Sequence, residues 1–136
     1  MEQIKCKKIV GGLATGKIIY TNFPINFLTA LDKESGVIID SSHDLFGVSV
    51  RNTILIFPCS AGSTVGAYSI FSLKRNNVAP SGIVCTNKVD ITTASGCAIA
   101  EIPLVQIINQ NKKLESMRDF QVTIDSESGV LISKKV

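Results

Sequence analysis

The chain opens with short runs in which apolar and polar positions alternate, the period of a half-buried strand. Ile4, Cys6, Lys8 and Val10 alternate with Lys5, Lys7 and Ile9 until Gly11-Gly12 breaks the run. Lys17-Ile18-Ile19-Tyr20, Pro24-Ile25-Asn26-Phe27-Leu28 and Val37-Ile38-Ile39 read as further β segments. Between them, Asp32-Lys33-Glu34-Ser35-Gly36 reads as a polar turn whose glycine takes positive φ, and His43 to Gly47 as another turn.

The middle of the chain changes character. Thr53-Ile54-Leu55-Ile56-Phe57 is continuously apolar, the mark of a strand buried on both faces, and Pro58 stops it. A small-residue loop follows, and Ser63 or Thr64 is expected to cap a helix carrying Val65, Ala67, Tyr68, Ile70 and Phe71 at helical spacing. Lys74 and Arg75 fall in its last turn, and Ile83-Val84-Cys85 is a second short buried strand. This predicts a βαβ unit with parallel strands. Asp90–Gly96 reads as a short helix or loop, Leu104–Ile107 as a strand, and Asn111–Met117 carries a weak helical pattern. Phe120–Ile124 and Val130–Ile132 form a closing hairpin around Asp125–Gly129. The expected architecture is mixed α/β, one domain over residues 1–136, with antiparallel strands around the βαβ unit.

Composition narrows the function. The 136 residues are 45% apolar and 18% charged, enough to build a core. So few charges hint at a partner covering part of the surface. The net charge of +3 is scattered and there is no Trp, which argues against nucleic acid. No run reaches the roughly 20 apolar residues of a membrane span, and no hydrophobic signal segment follows the N-terminus; a cytoplasmic protein is expected. Cys6, Cys59, Cys85 and Cys97 include no Cys-x-x-Cys pair, and His43 is the only histidine. Buried, reduced thiols are expected rather than a metal site or a disulfide framework.

Chemistry concentrates in Pro58-Cys59-Ser60-Ala61-Gly62-Ser63-Thr64, between the end of a buried strand and the start of a helix. Helix N-termini present unpaired N–H groups to anions, Gly62 permits close approach, and Ser63 and Thr64 bring hydroxyls. From the residues alone, Ser63 is either a helix cap or part of a ligand site. The spacing is not that of a phosphate-binding P-loop, and no Gly-x-Ser-x-Gly elbow surrounds Ser63. His43 and Asp32 read as turn residues, and Cys59 as a buried thiol.

Gly62-Ser63-Thr64-Val65-Gly66-Ala67-Tyr68 after Ile54-Leu55-Ile56-Phe57-Pro58, with Asn77-Val78-Ala79-Pro80 beyond, resembles the small subunit of the aconitase X group. The same order holds for Gly12-x-Ala14-x-Gly16, Leu31 to Ile38, His43-x-Leu45-x-Gly47-x-Ser49-Val50 and Ala98 to Leu104. The resemblance implies a detached swivelling β/β/α domain of the aconitase kind. It implies a partner, a large subunit carrying a [4Fe-4S] cluster, and no cofactor in this chain. It makes Ser63 the general base, with Gly62 and Thr64 against the substrate. The reaction it implies is dehydration of a phosphorylated hydroxy acid, (R)-5-phosphomevalonate, to trans-anhydromevalonate 5-phosphate on a mevalonate route to isoprenoids. Two positions depart from the pattern: Ala61 stands where the group usually has Lys or Arg, and Asn26–Ala30 where it tends to have Ser-Phe and a glycine pair. A dehydratase for another hydroxy acid such as cis-3-hydroxyproline, or a non-catalytic binding module, are the alternatives.

Overall fold

The computed structural model describes residues 2–109, 113–118 and 120–134. Its elements are β1 (Glu2–Val10), β2 (Leu13–Tyr20), β3 (Thr53–Phe57), α1 (Gly66–Arg75), β4 (Gly82–Cys85), α2 (Ile91–Ala100), β5 (Leu104–Ile107), α3 (Lys113–Ser116), β6 (Gln121–Asp125) and β7 (Val130–Lys134). The seven strands close into a barrel in the order β1-β5-β4-β3-β2-β6-β7, with β7 returning to β1. β2, β3, β4 and β5 pair in parallel; the remaining pairings are antiparallel, including the β6–β7 hairpin. α1 connects β3 to β4 and α2 connects β4 to β5.

Two hydrophobic clusters explain the two kinds of strand pattern. One fills the barrel and draws on every strand, with Ile18, Ile54, Val84, Val105, Val122 and Leu131 among its members; Leu114 and Met117 join it. The other lies outside the barrel, where Leu55, Phe57, Ile83 and Cys85 meet Ile70 and Leu73 of α1 and Cys97 and Ala100 of α2. β3 and β4 therefore face apolar surroundings on both sides and need continuous hydrophobic runs. β2 and β6 have one wet face and alternate.

Residues 21–52 depart from the β reading. Pro24–Leu28 and Val37–Ile39 make only isolated bridges, Ile25 to Ser60, Leu31 to Ile38 and Val37 to Ser49. The short polar side chains nearby take up the backbone locally: Asn26 accepts from Leu28 N and Thr29 N, Asp32 from Glu34 N, and Asp40 from Ser42 N. The apolar residues serve instead as anchors. Ile25, Phe27, Leu31 and Ile38 are fully buried, and Phe27 meets Phe57 edge-on at 5.5 Å. This excursion is thus pinned across the outside of β3, beside the loop that follows it.

Both larger helices end with a left-handed residue and the associated backbone closure. Asn77 has φ 60° and Val78 N donates to Leu73 O; Glu101 has φ 56° and Ile102 N donates to Cys97 O. The weak helical pattern near the C-terminus condenses to α3, and Asn111 and Lys112 lie outside the described residues. No helix among the described residues is long and apolar enough to cross a membrane.

Candidate functional site

The loop after β3 does not enter the helix where expected. α1 begins at Gly66, its N-cap position is Val65, and no side chain caps it. Residues 63–66 form tight turns in which Gly66 N donates to Ser63 O and Ala67 N to Thr64 O. These bonds consume the N–H groups that a helix start would otherwise offer. Ser63 Oγ accepts a hydrogen bond from Val65 N at 3.2 Å. Ser63 therefore sits just ahead of the helix rather than capping it. Gly62, Ser63 and Thr64 are all exposed.

Two contacts hold the loop. On one side, Ala61 N donates to Ile25 O and Ile25 N to Cys59 O, so the loop runs beside the start of the excursion. Gly62 lies at φ +87°, and a Cβ there would come within 2.5 Å of Asn26 Nδ2. The backbone angle favours glycine there, and any side chain would also have to displace the Asn26 amide. On the other side, Asp90 caps α2 and grips the loop at once. Its Oδ1 accepts from Ser60 N and Thr93 Oγ1, both at 2.9 Å, and its Oδ2 accepts from Thr93 N at 2.9 Å and from Ser60 Oγ. Burial pushes this carboxyl up, but the hydrogen bonds from Ser60 and Thr93 outweigh it and hold it below the usual aspartate value.

The other sequence candidates lie in structural roles. Asp32 accepts from Ser35 Oγ at 2.6 Å and from Glu34 N, which lowers its pKa in a turn closed by Gly36 at φ +74°. His43 is 5% exposed in its side chain; its Nε2 meets Pro24 O, and its Nδ1 accepts from Leu45 N beside the Asp44 carboxylate. It ties the excursion together. Cys6, Cys85 and Cys97 are buried, and burial raises Cys6 to about 11, Cys97 to about 12 and Cys85 higher still. Cys59 is only half-buried, not enclosed as expected, because it lies on the loop rather than in β3. All four are free thiols, and among the described residues no group of three or more His, Cys, Asp and Glu side chains could hold a metal.

Sequence reading passed over Asp90 and the Asn26–Gly62 contact. An Asp followed three residues later by Thr is an ordinary helix start, and nothing in the order of residues says that its second hydrogen-bonding partner is thirty positions upstream.

The site thus consists of two neighbouring exposed residues with hydroxyls, Ser63 and Thr64, on a loop clamped from both sides. Apolar side chains remain exposed nearby, with Tyr68 and Ile91 each 73% and Val65 47% accessible. Ser63 has a single backbone donor and no histidine or carboxylate hydrogen-bonded to it among the described residues.

A small α/β barrel domain with an exposed Gly-Ser-Thr loop at the carboxyl end of a buried strand is the class defined by these features. The family model of the aconitase X swivel domain matches residues 3–133, and the chain belongs to that family. It is 39% identical to the phosphomevalonate dehydratase small subunit of Thermococcus kodakarensis over 93% of this chain and 92% of that one. It is also 39% identical to the protein of the same name from Methanocella arvoryzae, over 95% and 97% of the two chains. In structure it is similar to the holo-form of aconitase X from Thermococcus kodakaraensis, with a TM-score of 0.88, 34% identity, and 99% and 100% of the two chains covered.

Proposed function

We propose that this chain is the small subunit of a heteromeric hydro-lyase, in which Ser63 is the general base. The substrate is (R)-5-phosphomevalonate and the product trans-anhydromevalonate 5-phosphate. The observation that carries the reading is the exposed Ser63 hydroxyl on a loop braced by Asp90 and Asn26, in a chain whose relatives are named as small subunits of that dehydratase.

In this reaction deprotonated Ser63 Oγ takes the proton from the carbon next to the substrate carboxylate, the C–H electron pair becomes the C=C bond, and the hydroxyl on the adjacent carbon departs with the C–O electron pair and takes a proton from solvent to become water. A [4Fe-4S] cluster held by the large subunit would supply Lewis-acid assistance to the departing hydroxyl; no group among the described residues of this chain would hold it. A serine hydroxyl is a weak base, so its deprotonated form has to be stabilised by donors and positive charge aimed at the oxygen. This chain contributes the Val65 N–H at 3.2 Å. Position 61, beside the loop, is alanine and brings no charge. The further stabilisation therefore falls to the partner, and the chain alone is inactive. Gly62 and Thr64 border the substrate.

The test is to purify the chain with its large subunit under anaerobic conditions and follow water elimination. Turnover of 5-phosphomevalonate by the pair and none by the chain alone is the expected result. A pair that turns over cis-3-hydroxyproline and not 5-phosphomevalonate would transfer the base role to another substrate. A pair that turns over neither would return the chain to a binding role.

A further inference from the structure

A second site lies at the other end of the barrel wall, where β3 begins and α1 ends. There a cavity of about 490 Å³ opens between the start of β2, the turn before β3, the end of α1 and the approach to β4. This volume is in the usual range for small-molecule sites. Arg51 and Lys74 line it from two different elements. Among the described residues neither makes an ion pair with a carboxylate. Thr15, Asn52, Asn77 and Ser81 add polar side chains to the lining, and Leu13, 70% exposed, is its accessible apolar side chain, with Ala14, Ala79 and Pro80 buried behind it.

The backbone around this cavity is built to special requirements. Asn52 and Asn77 both adopt left-handed conformations, at φ 59° and 60°. The turn at Asn52 is seated directly on β2, since a Cβ on Gly16 would come within 2.7 Å of Asn52 O. Asn52 N in turn donates to Ala79 O, and Ser81 N to Thr53 O, so the two rims are bonded to each other. Parts of two sequence motifs left without a role by the Ser63 loop, Gly12-x-Ala14-x-Gly16 and Asn77-Val78-Ala79-Pro80, thus meet here, together with Arg51 just after the His43–Val50 motif.

We propose that this cavity binds a phosphomonoester with a short apolar carbon body, separately from the Ser63 site. Arg51 offers a planar fork of donors and Lys74 a second positive charge for the phosphate, and asparagine amides supply neutral donors. The exposed Leu13 side chain accepts the carbon portion. The cavity is larger than a phosphate group, which is why an ester rather than the free ion is the assigned class. This inference does not rest on the dehydratase reading.

The test is a titration of the full-length ¹⁵N-labelled chain with butyl phosphate at constant ionic strength, followed by amide shifts. Expected are saturable shifts at Asn52, Asn77 and Ser81 with Ser63 and Val65 unmoved, and binding at least tenfold weaker in R51Q and in K74Q. Both positions are exposed, so each variant keeps the fold and either alone suffices as control. Inorganic phosphate should bind more weakly than butyl phosphate. Absence of saturation, shifts undiminished in both variants, or inorganic phosphate binding as tightly as the ester would overturn the proposal.

Discussion

Asp90 accepts the backbone N–H of Ser60 at 2.9 Å while holding the N–H of Thr93, also at 2.9 Å, on its other oxygen. One carboxylate therefore fixes the start of α2 and the loop that carries Ser63. Each of its two oxygens takes one backbone N–H and one hydroxyl. An asparagine has only one acceptor oxygen, so either orientation of its amide turns an NH₂ group towards a backbone N–H. Asp90→Asn should lower stability by about 1 kcal/mol or somewhat more, the cost of a backbone N–H left without an acceptor, read as a drop of a few degrees in the melting midpoint. In the assembled enzyme it should also lower turnover, because Ser63 loses its brace, while subunit association persists.

The same carboxylate sets an acid limit. Its folded pKa lies below the ordinary value of 3.8, so its contribution is complete above that value and is lost as the pH falls through the folded pKa. Amide shifts of Ser60 and Thr93 should thus stay constant from neutral pH to about pH 4 and move together below it. A midpoint above the ordinary aspartate value would contradict the hydrogen-bonding account.

Gly62→Ala tests the opposite brace. A Cβ there meets the Asn26 amide at 2.5 Å, and the backbone at φ +87° disfavours any side chain. The cost should be about 1–2 kcal/mol from the left-handed backbone alone, plus displacement of Asn26. Adding Asn26→Ala should recover part of the loss and leave the backbone part. Full recovery in the double variant would mean that the close approach, and not φ, dominates.

The four thiols should separate by accessibility. Cys6, Cys85 and Cys97 are buried, and burial holds them protonated well above neutral pH. At pH 8 an alkylating reagent should modify Cys59 first in the native chain, with the other three reacting only on unfolding. Peptide mass mapping after brief labelling reads this directly.

The barrel's buried wall was legible because physics leaves it little choice. β3 and β4 have apolar surroundings on both faces, and Ile54–Phe57 and Ile83–Cys85 had to be continuous. The hairpin at Asp125–Gly129 was equally plain, since its strands alternate around a polar turn. The excursion misled because its apolar residues, Ile25, Phe27 and Ile38 among them, are spaced as in strands yet are used singly as anchors. Short polar neighbours satisfied the backbone that a ladder would otherwise have claimed. The helix start was misplaced for a related reason: Ser63 does accept a backbone N–H two residues on, the local signature of a cap, but within a turn that precedes α1. Closure of the barrel, which sets β1 against β5 and β7, rests on long-range pairing that no local pattern carries.

The two positions at which the resemblance leads one to expect other residues also meet in space. Ala61 N donates to Ile25 O, and Asn26 packs against Gly62, so position 61 and the segment beginning at 26 form one edge of the loop. A change in one is felt by the other, and exchange of Ala61 for Lys or Arg should be made together with residues 26–30 rather than alone.

The most direct measurement is the turnover of the anaerobically assembled pair with Ser63→Ala in this chain. A general base contributes about 10²- to 10⁴-fold. The account predicts a loss in that range, with subunit association and iron content unchanged. Turnover within a few-fold of the unaltered pair would contradict the assignment of Ser63 as the base.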